Sequence, residues 1–252
     1  MRMKEKNKII LSGIALAIVV ILILVLGYGY YKNMTFKLER PAVTMEIENY
    51  GTIKMELYPE MAPDTVKNFI KLINDGYYNG LDFHRIDREY KLIQGGDKAL
   101  EEGEEDYSVK GEFSKNDFKE NTLKFERGTL GLARQDFTAY AELDSRLIKE
   151  GYNTGYAQFF IMAEAEPLFD GSYTAFGKVI EGMDVVDKML EMETTKETNE
   201  ETGETAETTE PVQRPIIKSV TVDTFGVKYE EANLVKTFDM NAFIMNYYGI
   251  TF

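Results

Sequence analysis

"FHRIDREYKLIQGGD", residues 83–97, holds the only histidine of the 252-residue chain. Arg85 stands beside that histidine, and Gln94 opens a Gln-Gly-Gly-Asp run that ends at Asp97. The stretch therefore decides whether His84 or its neighbours carry the chemistry. Cysteine is absent. Disulfides, thiolate nucleophiles and Cys-ligated zinc are excluded with it. A Ser-His-Asp arrangement would have to use His84 itself. No metal or cofactor is expected.

Working outward, "AVTMEIENYGTIKMELY" (42–58) reads as two strands with a turn at Tyr50-Gly51. Val43, Met45 and Ile47 alternate with polar residues, as do Ile53, Met55 and Leu57. "APDTVKNFIKLINDGYY" (62–78) places Val66, Phe69, Ile70 and Ile73 at helical spacing, with Pro63 near the start and Gly76 after the end. Further on, "AQFFIMA" (157–163), "YTAFGKVI" (173–180) and "IIKSVTV" (216–222) read as strands. "GMDVVDKML" (182–190) reads as a short helix with Met183, Val186 and Met189 on one face. Strands, helix, strands, helix and strand in that order predict a mainly β fold. An antiparallel barrel or sandwich with helices packed on it fits better than a parallel βαβ sheet.

The N-terminus predicts a location. Residues 1–8, "MRMKEKNK", form a basic head, and residues 9–27, "IILSGIALAIVVILILVLG", carry no charge. At 1.5 Å per residue that run spans about 28 Å, close to the hydrocarbon thickness of a bilayer. Tyr28, Tyr30 and Tyr31 follow where an interfacial aromatic belt would sit. The basic head predicts a cytoplasmic N-terminus, a single transmembrane helix contacting the lipid bilayer and an extracytoplasmic bulk at the cell membrane. A cleaved signal peptide is the alternative. Its apolar core runs about 7–15 residues and ends in small residues, whereas this run ends in "VLGYGYY". Residues 28–41 read as a juxtamembrane linker, 42–228 as the folded domain and 229–252 as a C-terminal tail.

The net charge is −14, and residues 191–210 supply eight glutamates against one lysine, a net −7. With no basic stripe outside the N-terminus, no nucleic-acid partner is expected. The Thr/Glu-rich segment 191–213 has few apolar residues to offset the entropy of ordering, and is expected to be a disordered loop inside the domain.

Four blocks in order resemble the cyclophilin-type peptidyl-prolyl isomerases: "FHRI" with "QGGD" (83–97), "GTLGLAR" (128–134), "AQFFI" (157–161) and "PLFDGSYTAFGKVIEGMDVV" (167–186). The resemblance runs from about 43 to 226 and implies an eight-stranded antiparallel β-barrel closed by two helices. It implies cis-trans isomerisation of X-Pro bonds in unfolded or exported proteins, by a monomer, without cofactor or covalent intermediate. Twisting that amide breaks its resonance against a barrier of about 18–20 kcal/mol. The pyramidal prolyl nitrogen can then accept a hydrogen bond. By resemblance Arg85 is the donor, Gln94 and Gln158 contact the substrate, and Phe160 floors the proline pocket, with Leu92 and Leu132 as walls. Phe159 and Phe160 face opposite sides of a strand. His84 is implied to be structural, a hydrogen-bonded residue of the barrel wall pointing away from Arg85.

The chain also departs from the family pattern. One extra residue lies between Arg85 and Gln94, so the usual pocket phenylalanine becomes Tyr90 or Lys91. Tyr90 is preferred because a buried lysine is costly. Arg134 stands after Ala133 where asparagine is usual, leaving its backbone to meet a bound peptide. Leu168 stands where many members carry tryptophan, and Tyr173 where histidine is frequent at the pocket rim. The enlarged loop 134–156 carries Phe137, Tyr140, Leu143 and Leu147 at spacing for a short helix beside the groove. These departures motivate an alternative function, a proline-peptide scaffold or holdase with weak catalysis.

Overall fold

A computed structural model describes residues 13–14, 16–28, 39–99, 106–199 and 202–249. The chain divides into two units, Met1–Glu39 and Arg40–Phe252. In the first, residues 16–28 are helical and their apolar side chains are exposed, Leu26 at 70%. That described helix is about 20 Å long at 1.5 Å per residue. Among the described residues no helix is long and apolar enough to cross a membrane. The basic head, residues 9–12 and 15 of the expected span, and most of the linker lie outside the described residues.

The second unit is built on twelve strands among the described residues. β1 (Ala42–Ile47) and β2 (Gly51–Leu57) form a hairpin whose Val43, Met45, Ile47, Ile53, Met55 and Leu57 are buried, as alternation requires. Then come β3 (Phe83–Asp87), β4 (Leu92–Gly95), β6 (Thr129–Leu132), β7 (Phe159–Met162), β8 (Thr174–Glu181) and β11 (Ile217–Asp223). These eight form one antiparallel sheet in the order β11-β1-β2-β8-β6-β7-β4-β3. The sheet curls until its end strands meet at a single bridge, Asp82–Ile216, beside a bond from Phe83 N to Pro215 O of 3.0 Å. Gly80 N also donates to Ile217 O at 2.8 Å and Ile217 N to Leu81 O at 2.7 Å, so the closure expected of a barrel is a short seam of backbone bonds.

Two helices cover the core, as expected. α1 (Pro63–Asn74) buries Val66, Phe69, Ile70 and Ile73. Its N-cap, Ala62, has no side chain to offer, so the cap comes from a distance. The buried Glu112 carboxylate accepts the N–H groups of Asp64 and Thr65, each at 2.9 Å. Burial pushes the Glu112 carboxyl above its usual range, against the lowering effect of these bonds. α2 (Leu147–Gly151) is a single turn, and α3 (Met183–Leu190) buries Val185, Val186 and Met189. Met183 is only partly buried against the core.

Two expectations need correction. Segment 191–213 is not a disordered loop, because β9 (Thr194–Thr198) pairs antiparallel with β10 (Thr205–Pro211). Hydroxyls of Thr195 and Thr208 lie 2.6 Å apart, and those of Thr198 and Thr205 2.9 Å apart. Arg88 anchors the hairpin from outside, donating to the carbonyls of Leu190 and Met192, to Thr194 Oγ1 and to Glu207. Cross-strand threonine pairs and this clamp offset an ordering cost that apolar burial could not. Loop 134–156 does not form one helix. It splits into a 3₁₀ turn at Thr138–Tyr140 and α2, with Phe137 and Leu147 buried and Tyr140 exposed. The tail folds back, since β12 (Leu234–Lys236) pairs with β5 (Tyr107–Val109). Asn233 donates to Asp64, Phe238 meets Phe137 at 6.1 Å between centroids, and α4 (Met240–Tyr248) follows.

Candidate active site

Register places the chemistry. Arg85 lies opposite Gln94 across β3 and β4, Gln94 opposite Phe160 on β7, Phe160 opposite Gly131 on β6, and Gly131 opposite Ala175 on β8. Side chains of directly paired residues share a face. The guanidinium, the amide and the aromatic ring therefore form one row across three strands, β3, β4 and β7.

The polar half of the row is a chain of hydrogen bonds. Arg85 Nη1 donates to Gln94 Oε1 at 3.1 Å, Gln94 Nε2 to Gln158 Oε1 at 2.8 Å, and Gln158 Nε2 to Asp97 Oδ1 at 2.7 Å. Arg85 Nη2 also meets Asp87 Oδ2 at 2.5 Å. The apolar half is a second buried cluster, separate from the main core, formed by Leu92, Phe125, Phe160, Met162 and Ala175. Tyr90, Ala133, Phe169 and Tyr173 pack against it. Phe159 lies in the main core and Phe160 in this cluster, as adjacent strand residues must. Phe160 stacks on Phe125 with centroids 5.6 Å apart, and meets Phe169 and Tyr173 edge-on, each at 5.8 Å. Residue 131 must be glycine here, because a Cβ would come within 2.1 Å of the Phe160 ring.

Most of the expected site residues gather here, and two do not. Leu132 packs in the main core, because on β6 it is Gly131 that faces the pocket. Leu168 is 75% exposed on the 3₁₀ turn Pro167–Phe169, and Phe169 turns inward instead. Tyr90 does reach the cluster, 5.4 Å from Phe169, while Lys91 takes a left-handed φ of 52° that closes the turn. Arg134 contributes a side chain as well as backbone. Its guanidinium lies 4.4 Å from the Tyr173 ring centroid, and its Nε donates to Ser172 O at 3.0 Å. Burial raises the Tyr173 phenol above its ordinary range, and Arg134 opposes that shift.

Sequence reasoning missed Phe125, Phe169 and Asp87. An aromatic residue within "KENTLKFERG" (119–128) was the signal for Phe125. His84 is partly buried, and among the described residues its Nδ1 has no hydrogen-bond partner. Burial lowers the His84 pKa below the ordinary 6.5, against the pull of Asp97 and Asp82. The sign follows from linkage. The unfolded chain binds the proton more readily, so stability is lost as pH falls below about 6.5 toward the folded value. An NMR titration of the sole imidazole is expected to give a midpoint under 6.5, and a midpoint at or above it would refute the burial argument.

A groove of about 940 Å³ continues from Gln94, Gln158, Ala133 and Arg134 toward Leu72, Tyr77, Tyr107 and, from the tail, Leu234. Among the described residues no group of His, Asp and Glu side chains could hold a metal ion.

Comparison with known proteins agrees with this geometry. Residues 42–222 match the family model "Cyclophilin type peptidyl-prolyl cis-trans isomerase/CLD". Peptidyl-prolyl cis-trans isomerase B of Bacillus subtilis is 34% identical over 151 residues, 60% of this chain and 92% of that protein. Peptidyl-prolyl cis-trans isomerase-like 2 of Gibberella zeae is 34% identical over 193 residues. The match covers 75% of this chain but spans only 28% of that relative's length. Plant and animal relatives match too, so the likeness does not single out a bacterial form. A crystal structure of a Cryptosporidium parvum cyclophilin type isomerase superposes with a TM-score of 0.53 at 25% identity, over 73% of this chain and 97% of that one. The same protein was solved in the presence of the dipeptide ala-pro. A family model spanning most of the chain and a relative matched over nearly its full length lead to one conclusion: the chain belongs to the cyclophilin type peptidyl-prolyl cis-trans isomerases.

Proposed function

We propose that this chain isomerises X-Pro bonds of unfolded or exported polypeptides while tethered to a membrane through residues 9–27. The observation that carries the catalytic reading is the row of Arg85, Gln94 and Phe160 across β3, β4 and β7. The Phe160 cluster takes the proline ring, and the residues flanking the X-Pro unit run along the groove toward Leu234. As the amide twists, its nitrogen becomes basic, and the Arg85 guanidinium donates to it. That bond exists in the twisted state and not in the planar one, which is the differential that accelerates rotation. The guanidinium acts as a hydrogen-bond donor only, and no proton changes hands, so His84 has no part in the reaction.

A protease-free isomerisation assay on an X-Pro peptide tests this reading. Turnover well above the spontaneous rate is expected. Peptide binding without turnover would instead support a holdase or scaffold.

The tether rests on the uncharged run and on the exposed apolar side chains of residues 16–26. Cells making the full chain are expected to retain it in the membrane pellet after alkaline carbonate extraction, with the domain open to protease only from outside. Release into the supernatant would refute the anchor.

A further inference from the structure

We propose that Asp87 is a positioning residue for Arg85. The inference rests on the isomerase reading. Asp87 follows Arg85 by two residues on β3, so both side chains leave the same face. Its side chain is 6% exposed. The two carboxylate oxygens do different work. Oδ2 takes Arg85 Nη2 at 2.5 Å. Oδ1 accepts the backbone N–H groups of Glu89 at 3.0 Å and Tyr90 at 2.9 Å. One carboxylate thus holds the donor and shapes the turn that lays Tyr90 against Phe169.

An arginine side chain is flexible, and its stem fixes a direction poorly. Here Gln94 holds Nη1 from one side and Asp87 holds Nη2 from the other. Two of the five N–H groups are engaged, and the plane of the fork is set before substrate arrives. The carboxylate also lowers the positive potential that the donor presents. Its charge, however, is shared among three donors, while the bond to the prolyl nitrogen depends steeply on direction. A displacement of about 1 Å costs on the order of 100-fold in rate, so orientation outweighs field.

The turn has a second support. Arg88, next in sequence, is tied to Leu190, Met192, Thr194 and Glu207. Loss of the Asp87 charge therefore leaves the turn anchored.

Asp87→Asn in the full chain keeps the shape and an acceptor for the two backbone amides, and removes the ionic hold on Arg85. The expected result is a fall of about tenfold in kcat, with KM within about twofold and an unchanged unfolding midpoint. A kcat equal to wild type, or higher, would overturn the positioning role and leave the isomerase reading intact. A second readout does not need turnover. In the chain labelled with ¹⁵N-arginine, the Arg85 Nη2 N–H signal, the one that Asp87 accepts, is identified by its loss in Arg85→Ala. Its exchange with water is expected to accelerate several-fold in Asp87→Asn. An unchanged exchange rate would show that the carboxylate does not order the guanidinium, whatever the enzyme assay gives.

Discussion

Arg85→Ala is expected to lower kcat/KM for an X-Pro peptide by about 10²–10³, the usual loss when one fixed donor to a developing charge is removed. The loss should fall almost wholly on kcat, because the proline ring is held by the separate Phe160 cluster, which the substitution does not touch. Stability should change little. Arg85 is 38% exposed, and Asp87 keeps its two backbone donors when the guanidinium goes, so no buried charge is left without a partner. Arg85→Lys should recover only part of the rate, since a lysine ammonium lacks the planar fork that Gln94 and Asp87 hold. Steady-state isomerisation beside a denaturation curve measures both quantities. A variant with wild-type kcat/KM would remove Arg85 from the mechanism.

Phe159→Ala and Phe160→Ala should separate fold from site, although the residues are adjacent. Phe159 is fully buried and touches Phe69, Tyr78 and Phe83 at centroid distances of 5.6, 5.7 and 5.8 Å. It joins α1 to β3 through the main core. Its truncation should cost about 3–5 kcal/mol, a midpoint shift of roughly 6–20 °C, with KM little changed in the protein that remains folded. Phe160 belongs to the smaller cluster with Phe125, Phe169 and Tyr173. Its truncation removes the surface on which the ring of proline rests, so KM should rise about tenfold or more while stability falls less than for Phe159→Ala. Calorimetry and peptide titration of both variants check this. Equal effects of the two on KM would mean that the two faces of β7 are not functionally separate.

How much of this was legible beforehand depends on how far each signal reaches along the chain. The alternation in 42–58 and the helical spacing from Val66 to Ile73 are local, and the strands and helix formed where those patterns lie. Arg85, Gln94 and Phe160 were also legible, because the blocks around them are short and distinctive. Leu132 and Leu168 were misplaced for one reason. Which of two neighbours faces a pocket depends on register and on the local turn, and a shift of one residue reverses the faces. Only the ladders from β3 across to β8 determine that Gly131 faces the pocket, and only the 3₁₀ turn sends Leu168 outward and Phe169 inward. The acidic hairpin was hidden because its anchor, Arg88, lies more than a hundred residues earlier. Asp87 was hidden because composition reads it as one more acidic residue. By itself the sequence determined the strands within 42–58, 157–163, 173–180 and 216–222, the helices at 63–74 and 183–190, and which residue types can serve as donor and pocket floor. Tertiary structure decided which of them meet, because hydrogen-bond register and ion-pair geometry are properties of distant segments brought together.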